Sequence, residues 1–111
     1  MKPIYYRNKD NTAVKVCDQC KLGGWHLYNG TNAQIHLQLF DALLANVTVG
    51  STTPKMVLCI PAGQQVSMIS SQDGAEFETA LIMAATTQDD NNTGPTYDTS
   101  LATGDFTLFI W

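Results

Sequence analysis

Charged side chains are scarce in this sequence of 111 residues, since Asp, Glu, Lys and Arg make up 14% of it against about a quarter in typical domains. Thr, Asn, Gln and Ser supply most of the polar groups, which favours a β protein whose surface partly meets other protein. Apolar runs long enough to cross a bilayer are lacking, and so is the apolar core of a secretion signal. We therefore expect a chain made in a cytoplasm, without a membrane partner, that folds as one domain.

Basic residues are rare beyond the N-terminus. The first 21 residues hold five of the six and only two acids, a charge of +3, whereas residues 22–111 hold one base and eight acids, a charge of −7. The clustered Arg and Lys typical of nucleic-acid binding are missing, so we expect no nucleic-acid partner. A solvated arm or first strand is the commoner explanation of such a segment, and docking onto an acidic partner is the alternative.

Alternating apolar and polar residues predict an all-β fold. In GSTTPKMVLCIPAG (50–63), Gly and Pro turn signals flank a six-residue apolar run, which predicts a central strand over Lys55–Ile60 with a partner on each side. Further strands are predicted over Thr12–Cys17, Trp25–Tyr28, Ala33–Phe40, Gln65–Ser70, Ala80–Thr86 and Asp105–Trp111, with turns at Gly23–Gly24, Asn29–Asn32 and Ser71–Gly74 and a helical turn over Asp41–Ala45.

Seven or eight strands about ten residues apart indicate an antiparallel β-sandwich or jelly roll. We assign residues 12–111 to this domain and residues 1–11 to an N-terminal arm, with a short strand at Ile4–Tyr6. The polar segment Gln88–Gly104 is predicted to be a functional or mobile loop.

Faces can be assigned from the same alternation. Trp25 and Leu27 share one face and His26 and Tyr28 the other. Ala33–Phe40 is predicted to be half-buried, with His36 toward solvent. Val66 and Met68 are expected to point inward, as are Phe106, Leu108 and Ile110 of the last strand.

The three cysteines provide one candidate site. Cys17 and Cys20 form a CxxC whose spacing suits zinc or a redox pair, but further ligands would have to come from His26, His36 or Cys59, without a second CxxC or an HxxxH. Ordinary reduced cysteines fit a cytoplasmic chain better, so we predict no metal and no cofactor.

Three other clusters have simple explanations. His26 and His36 beside Asp41 could do acid–base work, but no nucleophile motif accompanies them and half-exposed strand histidines are commoner, so we predict no enzyme. Asp89–Asn92 could hold calcium, yet its spacing does not match a calcium loop. The sequon Asn46-Val-Thr48 carries no weight without a secretion signal.

Four segments together resemble a known family: GGWHLYNGTNA (23–33), LQLFDALLANVTVGSTTPKMVLCIPAG (37–63), ALIMAATT (80–87) and GDFTLFIW (104–111). The WxLYN start, the LFDA-like strand and the TTP and IPAG turns are similar to those of small capsid decoration, or cement, proteins of tailed bacteriophages. The resemblance covers about residues 22–111. Its motifs are structural and bring no catalytic residue with them.

The resemblance implies a virion protein on the capsid surface that stabilises the shell, binds the major capsid protein and associates with itself, often as a trimer. For contact with the capsid we select Tyr5, Tyr6, Arg7 and Lys9, because aromatics and Arg are favoured interface anchors. Phe109 and Trp111 are our candidates for the subunit interface, although packing inside a second sheet is the alternative.

Two other functions remain open. The chain could be a tail, head-fibre or adsorption module, which is structural but sits elsewhere in the particle. It could also be a carbohydrate-binding β-sandwich, in which Trp25, Tyr28 and Tyr97 would form an exposed aromatic platform.

Overall fold

The protein is an all-β domain built on one curled antiparallel sheet. The computed structural model describes residues 1–69, 74–87 and 104–111. Its strands are β1 (Lys2–Lys9), β2 (Val14–Asn29), β3 (Ile35–Asp41), β4 (Met56–Ile60), β5 (Gln65–Ile69), β6 (Ala75–Thr86) and β7 (Gly104–Ile110), with a 3-10 turn at Leu44–Asn46. The sheet order is β1-β7-β2-β6-β3-β4, and β5 pairs with β2. The prediction of an all-β antiparallel fold is confirmed.

Strand β2 is the element on which the others assemble. Its first half, Val14–Leu22, pairs with β6, while its second half, Leu22–Asn29, pairs with β7 and with β5. The predicted turn at Gly23–Gly24 is therefore wrong, because the strand runs straight through it. Glycine is needed there for close packing: a Cβ on Gly24 would lie 2.5 Å from the Met68 carbonyl oxygen.

Strand β4, predicted to be central, lies at an edge of the sheet. It pairs with β3 on one side and with no other strand of the described residues. Met56, Leu58 and Ile60 do pack on the core as predicted. The opposite face carries half-buried Val57 and exposed Cys59. The apolar character of this face therefore did not show that β4 lies between two other strands.

Strand β3 is more deeply buried than predicted. Its first six residues are all buried, including His36 and Gln38 on the face that was expected to meet solvent. The Gln38 amide donates to the Thr86 hydroxyl of β6 at 2.8 Å. This hydrogen bond allows a polar side chain on this face of β3 to be buried.

The segment Asn29–Asn32 is not a β-hairpin turn, because β6 lies between β2 and β3 in the sheet. The buried Asn29 side chain holds this connection in place. Its amide donates to the Ala33 carbonyl at 2.7 Å and to the Ile60 carbonyl at 3.0 Å. One side chain thus links the end of β2 to the ends of β3 and β4.

The core lies mainly on the concave side of the sheet. Trp25, Leu27 and the alternate β7 residues predicted to face inward are all buried there. A smaller cluster on the other side joins Phe40 to Ala80, Ile82 and Ala84, so the second half of β6, Ala80–Thr86, is buried on both faces. Met68 is the exception, since it is exposed rather than inward.

Residues 2–9, which the sequence suggested as part of an arm, form β1 and pair with β7. The helical turn predicted at Asp41–Ala45 is a shorter 3-10 turn that begins three residues later, at Leu44. Most of the predicted Gln88–Gly104 loop and of the turn at Ser71–Gly74 lies outside the described residues. Within the part of the chain described, no helix has the length and apolarity needed to span a bilayer.

Candidate functional site

Exposed apolar side chains of the two chain ends and of β5 lie close to one another at one end of the sheet. Gly24 pairs with Ile69, and Trp25 pairs with Met68, which brings the end of β5 against the middle of β2. A Cβ on Gly23 would touch both the Trp111 ring and the Met1 sulfur. We call this group the terminal patch: Met1, Ile69 and Trp111, each about half exposed or more. Met68 is also exposed, but as the neighbour of Ile69 along the strand it points to the opposite face of the sheet.

The terminal patch is a candidate surface for contact with another protein. Ile69 is 66% exposed and Trp111 is 50% exposed. The Trp111 backbone is nevertheless fixed, since its N–H donates to the Lys21 carbonyl at 2.9 Å. Apolar side chains clustered on a surface indicate an interaction site more strongly than the same residues scattered singly.

The predicted interface pair separates in the structure. Trp111 belongs to the terminal patch, whereas Phe109 is half-buried on the opposite face of β7 from the core residues. Phe109 lies across from Pro3 of β1 and Gly24 of β2, so it borders the patch on the sheet side.

The four residues selected for capsid contact also differ in environment. Tyr5 and Arg7 are exposed on the outer face of β1, and Tyr5 is 59% exposed. Tyr6 packs against the core, and its burial raises the pKa of the phenol. Lys9 is buried, so only Tyr5 and Arg7 present their full side chains outward.

Lys9 serves the turn between β1 and β2. Its ammonium donates to the carbonyls of Asp10 and Thr12 and lies 3.5 Å from the Asp10 carboxylate. Burial lowers the pKa of Lys9, opposed by Asp10. Burial alone would raise the pKa of Asp10, but the Thr12 N–H and Lys9 hold it below its usual value. These groups are bonded to one another rather than to solvent.

Cys17 and Cys20 are joined by a disulfide, so the prediction of reduced cysteines is wrong for this pair. Residues three apart on a regular strand point to opposite faces. The β2–β6 register shifts between Asp18 and Cys20, where the single β2 residue Gln19 faces two β6 residues, Glu78 and Thr79. The alternation of β2 is broken at this irregularity, and both cysteines contact the core.

Cys59 is the free thiol and lies on the exposed face of β4. It is directly opposite His36 of β3, with its sulfur 3.2 Å from the His36 Nδ1. The other ring nitrogen of His36 is 3.3 Å from the Gln34 amide. The alternation of residues along each strand could not predict this contact, because the contact depends on the register between β3 and β4.

The predicted group of His26, His36 and Asp41 is divided among different partners. His26 Nδ1 lies 2.6 Å from the Ser67 hydroxyl, whereas His36 contacts Cys59. Asp41 accepts the N–H groups of Glu78 at 3.0 Å and Thr79 at 2.9 Å. The structure therefore does not bring these three side chains together.

A groove of about 390 Å³ opens on the outer face of the sheet across β1, β7, β2 and β5. We call it the outer groove, and its lining residues are Tyr5, His26, Tyr28, Gln65, Asp105 and Thr107. The exposure of His26 and Tyr28 agrees with the alternation of Trp25–Tyr28. Sequence reasoning missed the groove because four strands that are distant in sequence have to be placed side by side to form it.

The aromatic platform of the carbohydrate-binding alternative is not formed as predicted. Trp25 is buried, and Tyr97 lies outside the described residues. Tyr28 is exposed, but its aromatic neighbour across the groove is Tyr5.

The described ranges contain no group of three or more His, Cys, Asp or Glu side chains placed to hold a metal ion. The calcium candidate Asp89–Asn92 falls outside those ranges. No family model, curated protein or solved structure matches this chain.

Proposed function

We propose that this protein is a structural component of a tailed-bacteriophage virion that decorates the outside of the capsid. The resemblance of its strand and turn motifs to capsid decoration proteins motivates the proposal. The observation that carries it furthest is the terminal patch, because a small all-β domain with grouped exposed apolar side chains is suited to contact with other protein. The curled sheet would close as a sandwich or jelly roll.

Self-association is the first contact that we propose. The terminal patch, with Trp111 and the neighbouring Phe109, would form the interface between copies of a homotrimer. Burying large apolar side chains between subunits contributes roughly 25 cal/mol for each Å² of apolar surface. Specific interfaces bury about 1,200–2,000 Å² in total, so the patch would be the centre of a larger contact.

Capsid binding is the second contact. Strand β1 lies at the edge of the sheet and carries Tyr5 and Arg7 outward. Tyr and Arg are enriched at interface centres, and Arg pairs well with carboxylates. A trimer would present three such strands to neighbouring capsomers, so weak individual contacts would add through avidity.

Stabilisation of the shell would follow from binding alone. A protein that binds the assembled capsid but not its separated subunits raises the free energy of disassembly by mass action. The proposal therefore contains no catalytic step, no cofactor, no nucleic-acid partner and no membrane partner. The chain would be made in the host cytoplasm and reside on the virion.

The test is co-sedimentation with undecorated shells, purified from the encoding phage after deletion of this gene. We expect the full chain to pellet with shells and to raise their disassembly temperature. Deleting residues 1–9, or replacing Arg7 with Ala, should reduce binding at least tenfold. Absence of pelleting with shells would overturn the proposal.

The tail, head-fibre or adsorption module is the second candidate, and the same exposed β1 edge would serve it. Cryo-EM of the virion, with the chain labelled at an exposed position, would separate the two by location and copy number. Label at many sites across the head supports decoration, whereas label confined to the tail or to a single vertex supports the alternative.

A further inference from the structure

We propose that the outer groove binds a neutral saccharide, a function beyond capsid decoration that shares only Tyr5 with the proposed capsid contact. The groove combines exposed aromatic rings with hydrogen-bonding side chains on one face of the sheet. A sugar ring has the matching chemistry, with an apolar C–H face to lie on an aromatic ring and hydroxyls around its edge.

The sheet register places these side chains next to one another. Thr107 lies between Tyr5 of β1 and His26 of β2, and Tyr28 lies between Asp105 of β7 and Gln65 of β5. Side chains directly opposite on neighbouring strands are about 5 Å apart. Two parallel rows of groups, each across three strands and together spanning four, therefore give a surface the width of one or two sugar rings.

Most of the polar groups in the groove are available for a ligand. Among the described residues, the side chains of Tyr5, Tyr28, Gln65 and Thr107 have no hydrogen-bond partner. His26 uses Nδ1 on Ser67 and keeps Nε2 free. Together they offer several donors and acceptors, which is what a set of sugar hydroxyls requires.

Asp105 gives the groove both a carboxylate and a fixed wall. Its Oδ1 accepts the Asn8 N–H at 2.9 Å, at the point where β1 departs from regular pairing. Asn8 itself has a φ of 52°, which Asn tolerates better than most residues. The second carboxylate oxygen remains to accept a hydroxyl, and a charged acceptor makes a stronger hydrogen bond than a neutral one.

Other ligand classes fit less well. Neither Lys nor Arg lines the groove, so a phosphate or a sulfated glycan would meet Asp105 without a compensating cation. The described chain offers no cluster of metal ligands. A purely apolar ligand would bury Asp105, Gln65 and Thr107 without partners, which is costly. A neutral, polyhydroxylated ligand avoids all three problems.

The experiment is an NMR titration of the isotope-labelled full chain with four neutral oligosaccharides: maltohexaose, cellohexaose, mannohexaose and chitohexaose. We expect at least one to bind with a Kd of roughly millimolar and to shift the amides of groove residues. Tyr28→Ala and Gln65→Ala should each weaken that binding at least fivefold. Leu43→Ala, at an exposed apolar residue outside both the groove and the terminal patch, should leave it unchanged.

The outcomes separate this proposal from the capsid proposal. Tyr28→Ala should still bind shells, while Arg7→Ala should lose shell binding and keep the saccharide. Unfolding temperatures of all variants confirm that each is folded. The proposal is overturned if no oligosaccharide shifts the groove amides at 20 mM, roughly twenty times the expected Kd, or if Tyr28→Ala leaves the affinity unchanged.

Discussion

Asp41 shows how much of this sheet depends on one carboxylate at the end of a strand. It accepts N–H groups of Glu78, Thr79 and Ala80 from β6 and lies 3.9 Å from the Lys55 ammonium. Burial alone would raise the pKa of Asp41, but these hydrogen bonds and Lys55 hold it below its usual value. The ionised form therefore stabilises the folded state.

We predict that Asp41→Asn lowers the free energy of unfolding by about 1–3 kcal/mol at pH 7, since hydrogen bonds to charged groups are worth that much. Because the pKa is lower in the folded state, this stability is present above the unfolded pKa of about 4 and is lost as pH falls through the folded pKa. Urea unfolding at pH 7 and pH 3 should therefore show a smaller difference at pH 3. Asp18→Asn is the matched control, because its ion pair with Lys15 is exposed and worth little. An equal difference at both pH values would contradict the prediction.

Gly24 is the second residue where a small change should have a large effect. An added Cβ would lie 2.5 Å from the Met68 carbonyl oxygen and 2.9 Å from the Ile69 Cα, both backbone atoms that cannot rotate away. We predict that Gly24→Ala costs about 3 kcal/mol or more by forcing β5 from β2. Gly63→Ala should cost about 1–2 kcal/mol, because its φ of +66° is strained for Ala but the space is open.

Thermal unfolding and hydrogen exchange would compare the two glycine variants. Gly24→Ala should accelerate exchange of β5 amides specifically, whereas Gly63→Ala should leave them protected. A loss of stability for Gly24→Ala no larger than that for Gly63→Ala would show that β5 is not held closely against β2.

At the scale of single residues, the face to which a side chain points was predictable. The close packing of one strand against another was not. Trp25, Leu27, His26 and Tyr28 lie on the predicted faces because period-two alternation is a local property. The meaning of Gly23 and Gly24 depends on what packs over them, and Trp111, Met68 and Ile69 all lie more than 40 residues away in sequence. Read locally, two glycines signal a turn, and that reading was wrong.

At the scale of elements, the bulged first half of β2 sets the chemistry of its cysteines. The register to β6 shifts at Gln19, which faces two β6 residues, and Cys17 and Cys20 on either side of this irregularity both contact the core. A CxxC within a regular strand would separate its sulfurs, so the irregularity and the disulfide support each other.

We predict that the disulfide is detectable from the number of reactive thiols. The denatured, unreduced chain should react with one equivalent of a thiol reagent, at Cys59, and with three after reduction. A Cys59→Ser variant should show none and then two. Three reactive thiols without reductant would mean that the cysteines are reduced, as the sequence had suggested.

Alternation predicted where the strands lie in the sequence, but not which strands are neighbours in the sheet. The segments of β3, β4, β5 and β7 were located within a few residues. The apolar outer face of β4 wrongly suggested a central position, because Val57 and Cys59 are small enough to stand half-exposed at an edge. Burial of both faces of β3 was missed because Gln38 and His36 are polar, yet they are buried in contact with Thr86 and Cys59.

For the molecule as a whole, composition and strand spacing were sufficient for the fold class, while the topology needed the structure. The sheet pairs the first strand with the last, a contact between the two ends of the chain that no local signal reports. The terminal patch and the outer groove both depend on this pairing or on that of β5. For such a fold, the sequence therefore predicts which types of residue are exposed, but not which of them come together to form one surface.

The last prediction concerns the state of the molecule in solution. If the terminal patch is a subunit interface, Ile69→Glu and Trp111→Ala should shift the mass measured by light scattering or sedimentation velocity from an oligomer toward the monomer, because a buried charge or a lost aromatic anchor weakens an interface by about 2 kcal/mol or more. Leu43→Glu is the control: Leu43 is as exposed as the patch residues but lies between β3 and β4, so it should leave the mass unchanged. An oligomer that survives Ile69→Glu would place the contact between copies elsewhere on the molecule. A wild-type chain that is monomeric at high concentration would contradict self-association and leave the patch to the capsid.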